Sequence, residues 1–221
     1  MIGFMIIGGI TSNRLKNKFK KYSQIQTSSA MSGYEIAKKM LDDNNITDVK
    51  IVSVPGKLTD HYNPMDKTIN LSPDVYNGRH ITAAAVAAHE CGHAVQHATS
   101  YEWLHMRSQM VPMVSASNKM MTIIMLAGFF GAGVLHMFPI SSVILVFIIL
   151  QAVVTIFSLI TLPVEFDASK RALIWLKSAN ITNKEELVYA GDALNWAART
   201  YIVAAMAAAS YLLYYIALYK D

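Results

Sequence analysis

The feature that most constrains this fold is a long segment in the second half of the chain that carries no charged side chain. No Asp, Glu, Lys or Arg occurs from residue 120 to residue 164, a stretch of 45 residues. A helix needs about 20 apolar residues to cross a bilayer, so the stretch predicts a hairpin of two spans, 120–137 and 140–163. Residues 136–139 (His-Met-Phe-Pro) are expected to form the tight connection between them.

The rest of the composition favours a mainly α-helical integral membrane protein with three to four transmembrane helices. Hydrophobic residues make up 53% of the chain and charged residues only 15%, against about 25% in soluble domains. A third charge-free stretch begins at residue 201 and carries tyrosines near its ends, which predicts a C-terminal span over 201–221. Residues 1–11 are apolar but short, and basic residues follow rather than precede them, which is unlike a secretory signal. A short or truncated membrane helix is expected there.

The distribution of basic residues predicts how the chain is oriented. If segments 12–119 and 165–200 lie on one side of the membrane, they hold 18 of the 19 Lys and Arg residues. The positive-inside rule places that side in the cytoplasm. The net charge of +4 then reflects topology, and no nucleic-acid partner is expected. The single cysteine, Cys91, excludes an internal disulfide.

The cytoplasmic segment 12–119 contains the sequence His-Glu-Cys-Gly-His at 89–93. Two histidines four residues apart on a helix lie on one face, about 6 Å apart along the axis, so His89 and His93 can reach the same ion. Glu90 then lies beside a metal-bound water, as in zinc peptidases. The pentapeptide also occurs by chance on ordinary helices, so its interpretation depends on finding a third ligand.

Several residues are candidates for that third ligand, since a catalytic zinc usually has three from the protein. His97 would lie about 12 Å beyond His89 on an unbroken helix, which is too far. The metzincin extension is absent, because positions 96 and 99 are not Gly and His. His105 would require the helix to break and fold back. Glu165 is the first charge after the apolar hairpin, and two crossings return it to the side of His93. A carboxylate at this depth is costly unless it is paired or bound to metal; the alternative is a glutamate that only ends the span.

Local signals predict a small β-sheet and several helix starts in the cytoplasmic segments. Capping boxes at 32–35 and 182–185 predict two helix N-termini, and residues 165–178 predict a further helix. The β-branched segments 49–54 and 68–71 predict two strands, either of which could pair with an extended substrate. Thr82 is expected to cap the long alanine-rich helix that carries the histidines.

Two motifs together resemble the YugP-type bacterial membrane zinc metallopeptidases and, more distantly, the HtpX and Ste24 gluzincins. They are His-Glu-x-Gly-His at 89–93 and, after two spans, Pro-Val-Glu-Phe-Asp-Ala at 163–168, and the resemblance covers nearly the whole chain. It implies a gluzincin-like catalytic part with a long HExxH helix and one catalytic Zn²⁺. The implied ligands are His89, His93 and Glu165, and Glu90 is the implied catalytic base.

Four further residues are weaker candidates for roles around the metal. HtpX-like enzymes place an aspartate four residues after the glutamate ligand, whereas this chain has Ser169 there and an aspartate at Asp167. Either residue could orient a ligand. His61, in a predicted polar turn at 60–64, and Arg199, just before the last span, are candidates for stabilising an oxyanion. The alternatives are a surface histidine and an arginine that anchors a helix at the headgroups.

The resulting hypothesis is a multi-pass zinc-dependent endopeptidase of the bacterial cell membrane, with its active site facing the cytoplasm. Its expected partners are a peptide or protein substrate, membrane-associated or misfolded, and the lipid bilayer. The first alternative is a catalytically inactive zinc-binding scaffold or regulator. The second is a transporter, which would need ionisable groups within the spans, where only His136 occurs. Sequence predicts neither the physiological substrate nor the oligomeric state.

Overall fold

The computed structural model describes residues 2–130 and 138–220, and about three quarters of the chain is helical. The predicted connection at 136–139 therefore lies partly outside the described residues. Within the described ranges, the chain forms seven helices and three strands. They are α1 (Ile2–Tyr22), α2 (Gly33–Asp43), β1 (Lys50–Ser53), β2 (His61–Asn63), β3 (Thr68–Leu71), α3 (Pro73–Tyr76), α4 (Ile81–Ala98), α5 (Glu102–Phe130), α6 (Ile140–Ser178) and α7 (Lys184–Lys220).

Three of these helices, α5, α6 and α7, are long and apolar enough to cross a membrane. The mainly α-helical fold with candidate membrane spans and a small sheet is thus confirmed. With 39 residues, α6 is about 58 Å long, nearly twice the roughly 30 Å thickness of the hydrocarbon layer. The separate helix predicted at 165–178 is instead the continuation of α6, which is longer than the apolar layer is thick.

The helix α4 lies at the centre of the part of the protein that surrounds the sheet. It packs against α2, α6, α7 and the sheet, and most of its residues are buried. Its run of alanines, such as Ala83–Ala85, lets these neighbours approach closely because a methyl group adds little bulk. The break between α4 and α5 comes at Thr99–Tyr101, where Ser100 has a φ of 52°. No residue between His97 and Tyr101 clearly predicts this break.

The sheet has the strand order β1-β3-β2, with β1 parallel and β2 antiparallel to the central β3. Two of the strands match the predicted segments 49–54 and 68–71. The third corrects the prediction of a polar turn at 60–64: His61–Asn63 pairs with β3, and Tyr62 is 9% exposed. A strand of three residues is too short to show an alternating pattern in sequence. Since β3 has a partner on each side, only β1 and β2 have free edges.

The N-terminal residues 2–22 form one helix that packs against α7 and is not among the candidate spans. Lys18 pairs with Asp192 at 2.8 Å, and the Tyr22 hydroxyl donates to the same carboxylate at 2.6 Å. Nearer the apolar end, the guanidinium of Arg199 lies 4.2 Å from the ring centroid of Trp196. The basic half of α1 is thereby fixed to the start of α7.

Of the three predicted helix caps, one forms at the predicted residues and two form at other residues. The box at 32–35 is confirmed, since Ser32 and Glu35 exchange both expected hydrogen bonds. The box predicted at 182–185 forms one residue later, between Asn183 and Glu186. Thr82 does not cap α4: His80 accepts the Ala83 N–H instead, and the Thr82 hydroxyl donates to the Phe19 carbonyl of α1.

Candidate metal centre

His89, His93 and Glu165 come together where α4 meets α6, and each offers one ligand atom within 4.8 Å of the others. The Glu165 Oε2 atom lies 3.3 Å from His89 Nε2 and 3.7 Å from His93 Nε2. The two imidazole rings are nearly perpendicular, at 80°. Ligand atoms about 2.0–2.1 Å from a tetrahedral zinc ion lie about 3.4 Å from one another. The two distances from the carboxylate oxygen to the imidazole nitrogens therefore fit one such ion.

The Glu165 carboxylate is buried between the two imidazoles of the motif and one arginine. The residue is 2% exposed, and neither carboxylate oxygen has a hydrogen-bond partner among the described residues. The guanidinium of Arg107, from α5, lies 3.2 Å from Oε1 without the alignment of a hydrogen bond. Oε2 faces the two imidazoles instead. A buried carboxylate oxygen without a hydrogen bond is costly, and a metal ion held between Oε2 and the two imidazole nitrogens would remove that cost.

The close contact between α4 and α6 depends on the glycine inside the motif. A Cβ added at Gly92 would lie 2.6 Å from the backbone oxygen of Ala168. The two helix backbones are thus in direct contact one turn after Glu165. No other amino acid fits at Gly92 without pushing α6, and the carboxylate on it, away from the histidines.

A buried glutamine orients the second histidine of the motif. The Gln96 side-chain nitrogen donates to the Val164 carbonyl at 2.8 Å and to Asp167 Oδ2 at 2.9 Å. Its oxygen is therefore an acceptor for His93 Nδ1, 3.0 Å away. His93 must carry its proton on Nδ1, which leaves the Nε2 lone pair free for an ion.

Ser169 and Asp167, the two candidates for orienting a ligand, both lie close to the histidines but support different ones. Ser169 Oγ is 3.2 Å from His89 Nδ1 and is hydrogen-bonded to it. Asp167 reaches His93 only through Gln96, and its carboxylate also accepts from Arg171 Nε at 2.5 Å. The two imidazoles thus have different supports: His89 contacts the Ser169 hydroxyl of α6, and His93 contacts the Gln96 amide of α4, which is itself held by Asp167 of α6.

Glu90 lies beside the cluster and is held by the edge strand β2. The residue is 7% exposed, and its Oε2 accepts the Tyr62 backbone N–H at 2.9 Å. Burial raises the pKa of Glu90 to about 7; His89 opposes this shift, while the negative charges of Glu165 and Asp60 add to it. A carboxylate whose pKa is near neutrality can both take and return a proton under physiological conditions.

Other sequence candidates lie outside this cluster. His61 is exposed, and its Nδ1 is hydrogen-bonded to the Thr59 carbonyl at 2.8 Å. Arg199 stacks on Trp196, on the side of α7 that meets α1. His97 pairs with the Tyr62 hydroxyl at 2.7 Å, and His105 is exposed and bonded to Gln109.

Three residues near the cluster were not predicted: Gln96, Arg107 and Tyr201. The Tyr201 side chain is close enough to interact electrostatically with Glu165, Glu90 and Arg107. Two of the three had a signal in the sequence. Gln96 is a polar residue three positions after His93, on the same face of the helix. Arg107 is the only Lys or Arg between residues 80 and 118.

The family described as "Putative neutral zinc metallopeptidase" matches residues 1–220. The chain is 37% identical over 208 residues to a curated protein of Bacillus subtilis (strain 168), "Putative membrane protease YugP". The matched region covers 94% of this chain and 89% of that protein. No solved structure matches the chain.

Proposed function

Because the chain belongs to the neutral zinc metallopeptidase family, we propose that it is an integral membrane zinc-dependent endopeptidase whose active site faces the cytoplasm. The proposed ligands of a single catalytic Zn²⁺ are His89, His93 and Glu165, and the proposed catalytic base is Glu90. The observation that carries this proposal is the buried Glu165 carboxylate, whose free oxygen lies 3.3 and 3.7 Å from two imidazole nitrogens.

The three donor atoms suit zinc and would leave one coordination position open for water or substrate. Two imidazole nitrogens and one carboxylate oxygen are a known catalytic zinc set, in which the fourth position stays open for water or substrate. When bound, the ion acts as a Lewis acid that polarises the scissile carbonyl and makes a nearby water acidic. A purely structural zinc site has four protein ligands. The described residues group only three around this point.

Glu90 does not belong to the ligand group, and this favours an enzyme over a scaffold. It lies one residue after His89, with its carboxylate fixed by the Tyr62 N–H. From there it takes a proton from the attacking water and later gives it to the departing amine. Its raised pKa, about 7, suits both transfers. A scaffold would have no use for a buried carboxylate placed beside the metal.

The edge strand β2 is the proposed docking site for the substrate backbone. Of the two strands first considered, β3 is excluded because both of its edges are paired, and β1 lies at the far side of the sheet. β2 is an outer strand and borders Glu90; because its Tyr62 N–H is already hydrogen-bonded to that carboxylate, a substrate would pair with the other main-chain groups of this edge. An extended peptide paired with β2 brings its backbone to the catalytic residues through main-chain hydrogen bonds.

Tyr201 is the proposed donor to the oxyanion that develops on the scissile carbonyl. It lies within electrostatic reach of Glu165, Glu90 and Arg107, all at the site. A phenolic hydroxyl placed there stabilises negative charge in the transition state without carrying a charge of its own. The earlier candidates, His61 and Arg199, are engaged by Thr59 and Trp196.

The decisive experiment is the Glu90→Gln substitution in the purified full chain. Glutamine keeps the size and the hydrogen bond from Tyr62 but cannot accept the proton. We expect one zinc per chain to be retained and cleavage of unfolded casein to fall by at least about 100-fold. The control is Glu102→Gln, since Glu102 is exposed in the first turn of α5. If wild-type protein binds zinc but cleaves nothing, the scaffold alternative is correct.

Orientation is tested independently with single cysteines. The chain's own Cys91 is buried and should not react with a maleimide in the folded protein. Cysteines introduced at the exposed positions Lys38 and Lys220 should differ. With an impermeant maleimide on intact cells, we expect labelling at 220 only, and at 38 after permeabilisation. The reverse pattern would place the active site outside the cell.

A further inference from the structure

A cavity of about 860 Å³ lies between the basic half of α1, the loop before β2 and the N-terminal end of α4. Its lining includes three lysines, Lys16 and Lys20 from α1 and Lys57 from the loop. None of them forms an ion pair with a described residue, and all three are exposed. Phe19 and Val75 supply apolar surface to the same lining.

The acidic residues of the lining do not neutralise these lysines. Asp60 is committed to Ser72, whose N–H and hydroxyl donate to Oδ1 at 2.7 and 3.0 Å. Asp74 is exposed in the first turn of α3. His80 accepts the Ala83 N–H, and burial lowers the pKa of its imidazole, so it adds no positive charge near neutral pH. Three ammonium groups and two carboxylates leave the cavity net positive.

The cavity lies at the start of β2, the strand that contacts Glu90 beside the metal centre. Asp60 lines the cavity and immediately precedes β2, and Tyr62, two residues later, donates its N–H to Glu90. A strand rises about 3.4 Å per residue, so the two positions are about 7 Å apart. A peptide that ran antiparallel to β2, from Asn63 towards Asp60, with its scissile bond beside Glu90 would bring its second and third residues after that bond to the cavity.

We propose that this cavity is a specificity subsite for an acidic side chain, Asp or Glu, at the second or third position after the scissile bond. This inference rests on the proposed function. The apolar wall accommodates the methylene groups of the side chain, and the free lysines pair with its carboxylate. Each such partly screened ion pair changes affinity only modestly, so preference over an uncharged residue is about three- to fivefold.

The subsite is tested by digesting a proteome-derived peptide library with the zinc-loaded full chain in a neutral detergent. Mass spectrometry gives the residues around each cleaved bond. We expect Asp and Glu to be enriched about three- to fivefold at the second or third position after that bond. The triple variant Lys16→Gln, Lys20→Gln, Lys57→Gln should lose this enrichment. The control variant Lys38→Gln, Lys50→Gln, Lys177→Gln loses the same charge at exposed sites outside the cavity and should keep it.

A binding measurement separates this proposal from the proposed function. Two twelve-residue fluorescent peptides, alternating valine with glutamate or with glutamine, are titrated into the Glu90→Gln protein. We expect the glutamate peptide to bind at least about threefold more tightly, and the triple variant to lose the difference. That result supports the subsite even if the wild-type protein cleaves nothing, in which case only the proposed function fails.

Two outcomes would contradict the proposed subsite without contradicting the proposed peptidase function. The first is cleavage without acidic enrichment, with equal binding of the two peptides. The second concerns the membrane, since α1 adjoins an apolar segment. If the triple variant cleaves all peptides alike but binds phosphatidylglycerol vesicles more weakly than the control variant does, the lysines serve anionic lipid.

Discussion

The substitution Gly92→Ala tests whether direct contact between α4 and α6 holds the metal centre together. The added methyl carbon would lie 2.6 Å from the Ala168 carbonyl oxygen, and ordinary contacts begin near 3.4 Å. The two backbones must therefore separate by about 0.8 Å, since neither helix has a flexible side chain to move aside. Overpacking of this kind costs about 1–3 kcal/mol.

The shift matters for zinc because Glu165 is one helical turn from Ala168 on the same rigid helix. Moving α6 by about 0.8 Å displaces Oε2 from the imidazole nitrogens and loosens the Ser169–His89 hydrogen bond, now 3.2 Å long. Loss of such orienting contacts typically costs 10- to 100-fold in metal affinity. We expect Gly92→Ala to bind zinc at least about 10-fold more weakly.

The measurements are zinc affinity, by competition with a chromogenic chelator, and Tm in detergent without zinc. At about 2–4 °C per kcal/mol for a chain of this length, Tm should fall by several degrees. The matched control is Gly191→Ala, where a Cβ meets only a Leu173 methyl group at 3.7 Å. If Gly92→Ala matches that control in both measurements, the helices are not in the close contact described here and the reasoning fails.

Three further predictions concern the groups around the metal centre. Gln96→Ala removes the acceptor of His93 Nδ1–H, so zinc affinity in chelator competition should fall about 10- to 100-fold; unchanged affinity would contradict the assigned tautomer. Arg107→Met leaves Glu165 Oε1 without its counter-charge, so Tm should fall more in zinc-free than in zinc-loaded protein; equal losses would show that the pair does not neutralise Glu165. Zinc at 1,000 times its Kd should stabilise wild type by about 4 kcal/mol in thermal unfolding and His89→Ala far less.

Parts of the fold were predictable because their physical cause is local in the chain. The capping box at Ser32 needs only residues three apart, and the charge-free segment needs only its length and composition. The same holds for the spacing of His89 and His93 on α4. Where the cause is not local, prediction failed: the cap of α4 is His80 rather than Thr82, because the Thr82 hydroxyl is drawn to α1.

Some residues of the candidate site were also predictable from the sequence, and others were not. Glu165 was found from sequence by counting membrane crossings, and the structure places it against both histidines. Arg107 and Tyr201 come from α5 and α7, so only packing brings them to the cluster, and the hydrogen bonds that give Gln96 its role also reach across to α6. β2 was missed because three residues gain strand geometry from pairing with β3 rather than from their own pattern.

The sequence by itself determined that this chain carries apolar helices able to cross a membrane, and that its two motif histidines share a helix face. Those properties follow from hydrophobicity and helical periodicity, which a single segment carries alone. Only the tertiary structure decided which oxygen of Glu165 faces the imidazoles, which groups orient them, and that β2 borders Glu90. These depend on how closely α4 and α6 approach, and that distance is set at Gly92 and Ala168 by contact between residues far apart in the chain.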